Sequence, residues 1–180
     1  MSETRSEAWL SRAILAATVS RDLNLRDRVG CVIVDGFDLI STGWNHTLDD
    51  TCMRDAAGKA RPFVVHAETA AIQAALVESH KMGGDYLFLD ANRFKVYCTK
   101  EPCLHCLVQL ANAGVKEVHY IDAIPESKSG KNYLKHFPSI KVYQQHADQL
   151  PRLLRVLGIY PGGSTEPAPS VATGQGSPAT

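Results

Sequence analysis

Apolar residues recur at three- and four-residue steps across residues 6–22. Trp9, Ala13, Ala16, Ala17 and Ser20 share one face, and Leu10, Ile14 and Leu15 widen it, which predicts an amphipathic helix. Residues 31–34 and 39–42 are short apolar runs on either side of Asp35-Gly36, a turn signal, and predict a hairpin of two buried strands. Residues 44–61 have no clean period and carry Asp49, Asp50, Asp55 and Gly58. They predict a long loop with room for one helical turn, and loops of that length inside a compact domain are usually functional. Residues 66–80 predict a second helix, with Ala67, Ala70, Ala71, Ala74, Ala75 and Leu76 forming an apolar stripe that Gly83-Gly84 stops. Residues 94–98 alternate and predict a strand. Residues 104–113 follow Pro102 as a helix that ends at Asn112 and Gly114. Residues 116–121 and 140–143 predict two more strands, 127–136 a polar helix and 147–157 a last helix.

This order of helix, hairpin, then alternating helices and strands predicts an α/β layered sandwich. Its sheet is largely parallel beyond the hairpin. Residues 161–180 are rich in Gly, Pro, Ser, Thr and Ala, with no aromatic residue after Tyr160. They predict a disordered tail behind one domain spanning 1–160.

Composition narrows the function classes. The chain has 180 residues, 44% apolar and 21% charged, which suits one globular domain and excludes disorder for its bulk. No apolar run approaches the ~20 residues a membrane span needs. With 19 Lys+Arg against 19 Asp+Glu the formal net charge is +0. That argues against a broad nucleic-acid surface while leaving room for a local basic pocket for one phosphate. The segment 1–12 is polar and has no signal-peptide pattern. The expected compartment is therefore the reducing cytoplasm, where clustered cysteines mean metal or redox chemistry.

Of the five cysteines, Cys103 and Cys106 stand three apart at the start of a predicted helix, behind Pro102. His66-Ala67-Glu68 opens another helix. Two thiolates and one imidazole from converging helix starts form a three-donor set for one Zn2+. Three protein ligands leave a fourth position for water, whose pKa the ion lowers toward neutrality. Glu68, two residues from His66, can then carry a proton without ligating the metal. The pattern H-x-E…P-C-x-x-C is a known signature of zinc deaminases acting on nucleobases. Two other readings of Cys-x-x-Cys exist. One is a thioredoxin-like redox pair; the other is a structural zinc site with Cys98, His105, Cys31 or Cys52 as fourth ligand. Cys31 and Cys98 lie in apolar strands and read as small core residues.

At these residues the chain resembles the cytidine deaminase superfamily, and within it the deoxycytidylate deaminase branch. The matching segments are 28–34, Gly43-Trp44-Asn45, 62–68, 102–106 and 113–118. The resemblance implies a three-layer α/β/α sandwich with a five-stranded mixed sheet. It implies one catalytic Zn2+ on His66, Cys103 and Cys106, with Glu68 as proton shuttle. It also implies Asn45 touching the sugar or phosphate, and the backbone N–H of Ala67 holding a base carbonyl. The implied reaction is hydrolysis of a free cytosine nucleotide, dCMP to dUMP plus ammonia, in a homo-oligomer. Ala70 stands where that branch carries Asn. Another free base or nucleotide (guanine, a modified cytosine or an adenine nucleotide) is therefore the second reading. A tRNA or single-stranded DNA editor and a zinc-stapled module without turnover complete the alternatives. Arg26, Arg28, Arg54, Lys59 and Arg61 are candidates for gripping a phosphate. Arg26 and Arg28 are favoured because they lead directly into the first strand. Trp44 is a candidate wall of the base pocket, although an aromatic after a strand is more often core.

Overall fold

The computed structural model describes residues 3–49, 51–81 and 93–145. The helix expected over 147–157, the Gly83-Gly84 stop and the tail over 161–180 lie outside the described residues.

Helix α1 (Glu3–Ala17) precedes strands β1 (Gly30–Asp35) and β2 (Asp38–Trp44), helix α2 (Ala67–Lys81), strand β3 (Phe94–Lys100), helix α3 (Leu104–Asn112) and strands β4 (Glu117–Asp122) and β5 (Lys141–Gln144). The sheet has five strands in the order β2-β1-β3-β4-β5. Strand β1 pairs antiparallel with both β2 and β3, whereas β3, β4 and β5 run parallel. The mixed sheet thus joins an antiparallel hairpin to a parallel half.

Period-two alternation divides the core between the two faces of the sheet. Cys31, Ile33, Val96, Cys98, Val118 and Tyr120 point toward α2 and α3. Val32, Val34, Tyr97 and Ile121 point toward Trp9, Leu10, Ala13 and Ile14 of α1. Helices therefore cover both faces, giving the expected three layers. Two glycines allow the close approach of helix to sheet. A Cβ on Gly30 would lie 1.9 Å from the Ala13 carbonyl oxygen of α1, and one on Gly43 would lie 2.3 Å from the Ala67 oxygen of α2.

Three local expectations change. Helix α1 stops at Ala17 rather than running to residue 22, because turns close it. Leu15 and Leu76, counted among the apolar faces of their helices, are exposed. Residues 126–136 form two 3₁₀ segments, Glu126–Lys128 and Gly130–His136, rather than an α-helix. Ser129 interrupts them: its hydroxyl bonds Glu101 and also accepts from the Lys131 N–H, and Gly130 N–H donates to Pro102. Tethering this segment to 101–103 competes with the helical ladder. Among the described residues no helix is long and apolar enough to cross a membrane.

Candidate active site

Helices α2 and α3 lie on the same face of the sheet, so their N-termini meet beside the ends of β1 and β3. His66 immediately precedes α2, Cys103 is the N-cap of α3, and Cys106 sits in its first turn. The His66 Nδ1 lies 3.3 Å from Cys106 Sγ and 3.7 Å from Cys103 Sγ, and all three donor atoms fall within 4.8 Å of one another. Usual Zn–S and Zn–N distances imply tetrahedral edges of about 3.5–3.8 Å. The donor set therefore fits one zinc ion.

No fourth protein donor joins them among the described residues. Cys31 and Cys98 face each other across β1 and β3 with sulfurs 3.4 Å apart, sealed in the core. His105 bonds Gln109 on the helix surface, and Cys52 is exposed. A three-ligand, open arrangement is what these positions offer.

The electrostatics follow from the clustering. The Cys103 thiol is lowered to about 3, chiefly by the hydrogen bond from Cys106, then by His66 and the α3 N-terminal backbone. Cys106 is pushed up by that same hydrogen bond and by burial. His66 is raised, first by its bond to Cys103. Glu68, only 4% exposed in the first turn of α2, is raised by burial, against the pull of its own backbone N–H and of His66. Burial thus favours the protonated form of this carboxyl over the carboxylate.

These groups open into a cavity of about 390 Å³, within the size range of small-molecule sites. The loop over 53–64 forms one wall, held by backbone bonds between Arg61 and Met53 and between His46 and Val65. The β4-to-3₁₀ connection, with Ile124, Pro125 and Lys128, forms another. The expected helical turn in 44–61 does not occur among the described residues, which form isolated bridges instead.

The structure brings His66, Ala67, Glu68, Cys103 and Asn45 to this cavity, with Cys106 directly behind them. Asn45 is 7% exposed, and its amide is already engaged: Oδ1 accepts from Val29 N–H and Nδ2 donates to the Asp27 carbonyl, each at 2.8 Å. It ties the entrance of β1 to the end of β2. Arg26 and Arg28 do not line the cavity: Arg26 is exposed, and Arg28 Nε donates to the Asp22 carbonyl. Leading into β1 carries the chain past the cavity without turning these side chains toward it. Trp44 also lies elsewhere, lining a separate cleft with His46, Thr47 and Met53.

The cations that do line the cavity are Arg54, Arg61, Lys100 and Lys128. Lys100 and Lys128 were not among the sequence candidates. Lys100 had a readable signal, as the last residue of a strand feeding the Pro-Cys motif, since ligands in open α/β sheets gather at carboxyl ends of strands. Lys128 had none. Asp22 and Asp27 complete a charged wall. Arg54 binds Asp22 through Nε at 2.7 Å and also meets Asp27, which Lys100 Nζ contacts at 2.8 Å.

A profile described as the cytidine and deoxycytidylate deaminase zinc-binding region matches residues 3–122. The chain is 31% identical over 159 residues to a deoxycytidylate deaminase of Saccharomyces cerevisiae, a match covering 82% of this chain and 47% of that protein. It is 32% identical over 125 residues to a deoxycytidylate deaminase of Schizosaccharomyces pombe, covering 62% and 35%. The chain thus spans about half or less of the length of these relatives. A dCMP deaminase from the cyanophage S-TIM5, solved in complex with dCMP and dUMP, superposes with a TM-score of 0.62 at 29% identity, covering 77% of this chain and 95% of that one. The matched region holds both helix starts, the three donors and Glu68, and on this ground the chain belongs to the cytidine and deoxycytidylate deaminase family.

Proposed function

We propose that this chain hydrolyses the amino group of dCMP, giving dUMP and ammonia. The observation that carries the reading is a buried Glu68 carboxyl beside a three-donor metal site that opens into a nucleotide-sized cavity. His66, Cys103 and Cys106 would hold the zinc ion, which supplies Lewis acidity and lowers the pKa of water near it. Glu68 takes a proton from the attacking water and delivers it to ring nitrogen N3, then takes the remaining proton from the new C4 hydroxyl and hands it to the departing amine. One C–O bond forms and one C–N bond breaks, without redox change. The Ala67 N–H, at the unpaired N-terminal turn of α2, donates to the base carbonyl. Asn45 holds the entrance of β1 and offers its remaining hydrogen-bonding capacity to the sugar.

The likeness to dCMP deaminases supports dCMP over the other free bases and nucleotides. Zero net charge, with cations gathered at the cavity wall, speaks for a small nucleotide rather than a polynucleotide track. Free thiols in the metal cluster accord with the reducing cytoplasm. Leu76 and Val77, exposed on α2, supply apolar surface for a homo-oligomer.

The test uses zinc-loaded protein with dCMP, CMP, deoxycytidine, guanine and single-stranded oligonucleotides, following ammonia release and product mass. dCMP is expected to be the preferred substrate. Glu68→Gln is expected to lose at least about a hundredfold in turnover while keeping zinc and fold. Unimpaired turnover in that variant would overturn the mechanism, and preference for another compound would overturn the substrate.

A further inference from the structure

We infer that Arg61 and Lys128 grip the 5′-phosphate of the nucleotide, and that Arg54 and Lys100, although in the same cavity, do not. The inference rests on the nucleotide reading above and assigns the end of the substrate remote from the metal.

The argument is one of charge balance within the cavity wall. Its carboxylates are Asp22, Asp27, Glu68 and Glu101. Asp22 and Asp27 are matched by Arg54 and Lys100 at ion-pair distance. Arg54 is nearly saturated: Nε and Nη2 reach Asp22, Nη2 also reaches Asp27, and Nη1 donates to the Gly58 carbonyl. A phosphate at Arg54 or Lys100 would have to displace a carboxylate and then lie against it. Glu68 faces the metal donors, and Glu101 is turned away to Ser129 and Lys131.

Arg61 and Lys128 remain. Among the described residues neither has a carboxylate within ion-pair distance. Arg61 spends only its Nε, on the Arg54 carbonyl at 3.1 Å, and sits over the Phe63 ring. Its two terminal nitrogens stay available for the paired bonds that guanidinium makes with phosphate. Asp49, exposed, feels Arg61 only as the last of several influences. Lys128 comes from another wall of the cavity, in the 3₁₀ segment that Ser129 fastens to Glu101. Two uncompensated positive charges facing one cavity from two loops match a phosphate monoester dianion. Around Asp22 and Asp27 the carboxylates and the paired cations offset each other, which leaves the uncompensated positive charge at Arg61 and Lys128.

The test measures, by calorimetry on the zinc-loaded full chain, the affinities for dUMP and for deoxyuridine, with inorganic phosphate as competitor. The wild type is expected to favour dUMP by tenfold or more, and inorganic phosphate to weaken dUMP binding. Lys128→Ala and Arg61→Ala are each expected to reduce the dUMP-to-deoxyuridine affinity ratio about tenfold, with Arg61→Lys restoring part of it. Lys128 is exposed, so its variant stays folded even where the Arg61 variant does not. Equal affinity of the wild type for the two ligands would overturn the inference. So would a ratio unmoved by Lys128→Ala, or one that collapses in Lys100→Ala instead. Turnover of dCMP with an unmoved ratio leaves the function standing and removes this site. A ratio that moves as expected without any dCMP turnover does the reverse.

Discussion

At Asp27 two cations share one carboxylate. Burial works to raise its pKa, but hydrogen bonding and charge from Lys100, then from Arg54, outweigh it and hold the group below its ordinary value of 3.8. A carboxyl lowered on folding stabilises the fold above its unfolded value, and that contribution disappears as pH falls through the folded one. Asp27→Asn should therefore cost about 1 kcal/mol at pH 7, discounted for the partial exposure of the pair. In urea titrations the gap between variant and wild type should close below pH 3.8 as the wild-type carboxyl takes its proton. A gap that persisted unchanged into acid would assign the loss to packing. Residue by residue, legibility followed sequence distance. His66 and Glu68 are two apart and Cys103 and Cys106 three apart, so their chemistry is written in local spacing. Arg54, Lys100 and Lys128 reach one cavity from a loop, a strand end and a 3₁₀ segment, a convergence that no spacing records.

Elements position the donors only if the helices sit close to the sheet. Helix α2 rides on β2 at Gly43, where an added Cβ would also lie 2.3 Å from the Ala71 nitrogen. Those neighbours are backbone atoms and cannot rotate away. Gly43→Ala should destabilise the protein by about 1–3 kcal/mol in denaturant melts, as overpacking does. It should also lower turnover, because displacing α2 displaces His66 and Glu68. Wild-type stability in this variant would mean that the helix can shift without cost. The strands were readable from their short apolar runs, since burial on both faces leaves β1 apolar along nearly its whole length. The helix expected over 127–136 was not, because the competing bonds of Ser129 to Glu101 and of Gly130 to Pro102 come from residues far away in sequence.

For the whole molecule, the metal site joins two helices that otherwise meet mainly through the sheet. A metal bound by the native state alone stabilises that state by about 4 kcal/mol at a thousandfold over its dissociation constant. Stripping zinc with a chelator should lower the melting temperature by several degrees, and Cys106→Ser should melt at the stripped value with or without added zinc. A melting temperature indifferent to chelation would remove the metal from the fold's stability. Sequence alone determined the layered α/β class, the hairpin and the two local pairs, His66 with Glu68 and Cys103 with Cys106. All are set by periodicity or by contacts within one turn of chain, where covalent spacing fixes geometry. Tertiary structure decided which charges face the cavity. It turned Arg26, Arg28 and Trp44 away, matched Arg54 and Lys100 with Asp22 and Asp27, and left Arg61 and Lys128 without a carboxylate partner among the described residues. Coulomb energy depends on distance through space, and only the folded chain sets those distances.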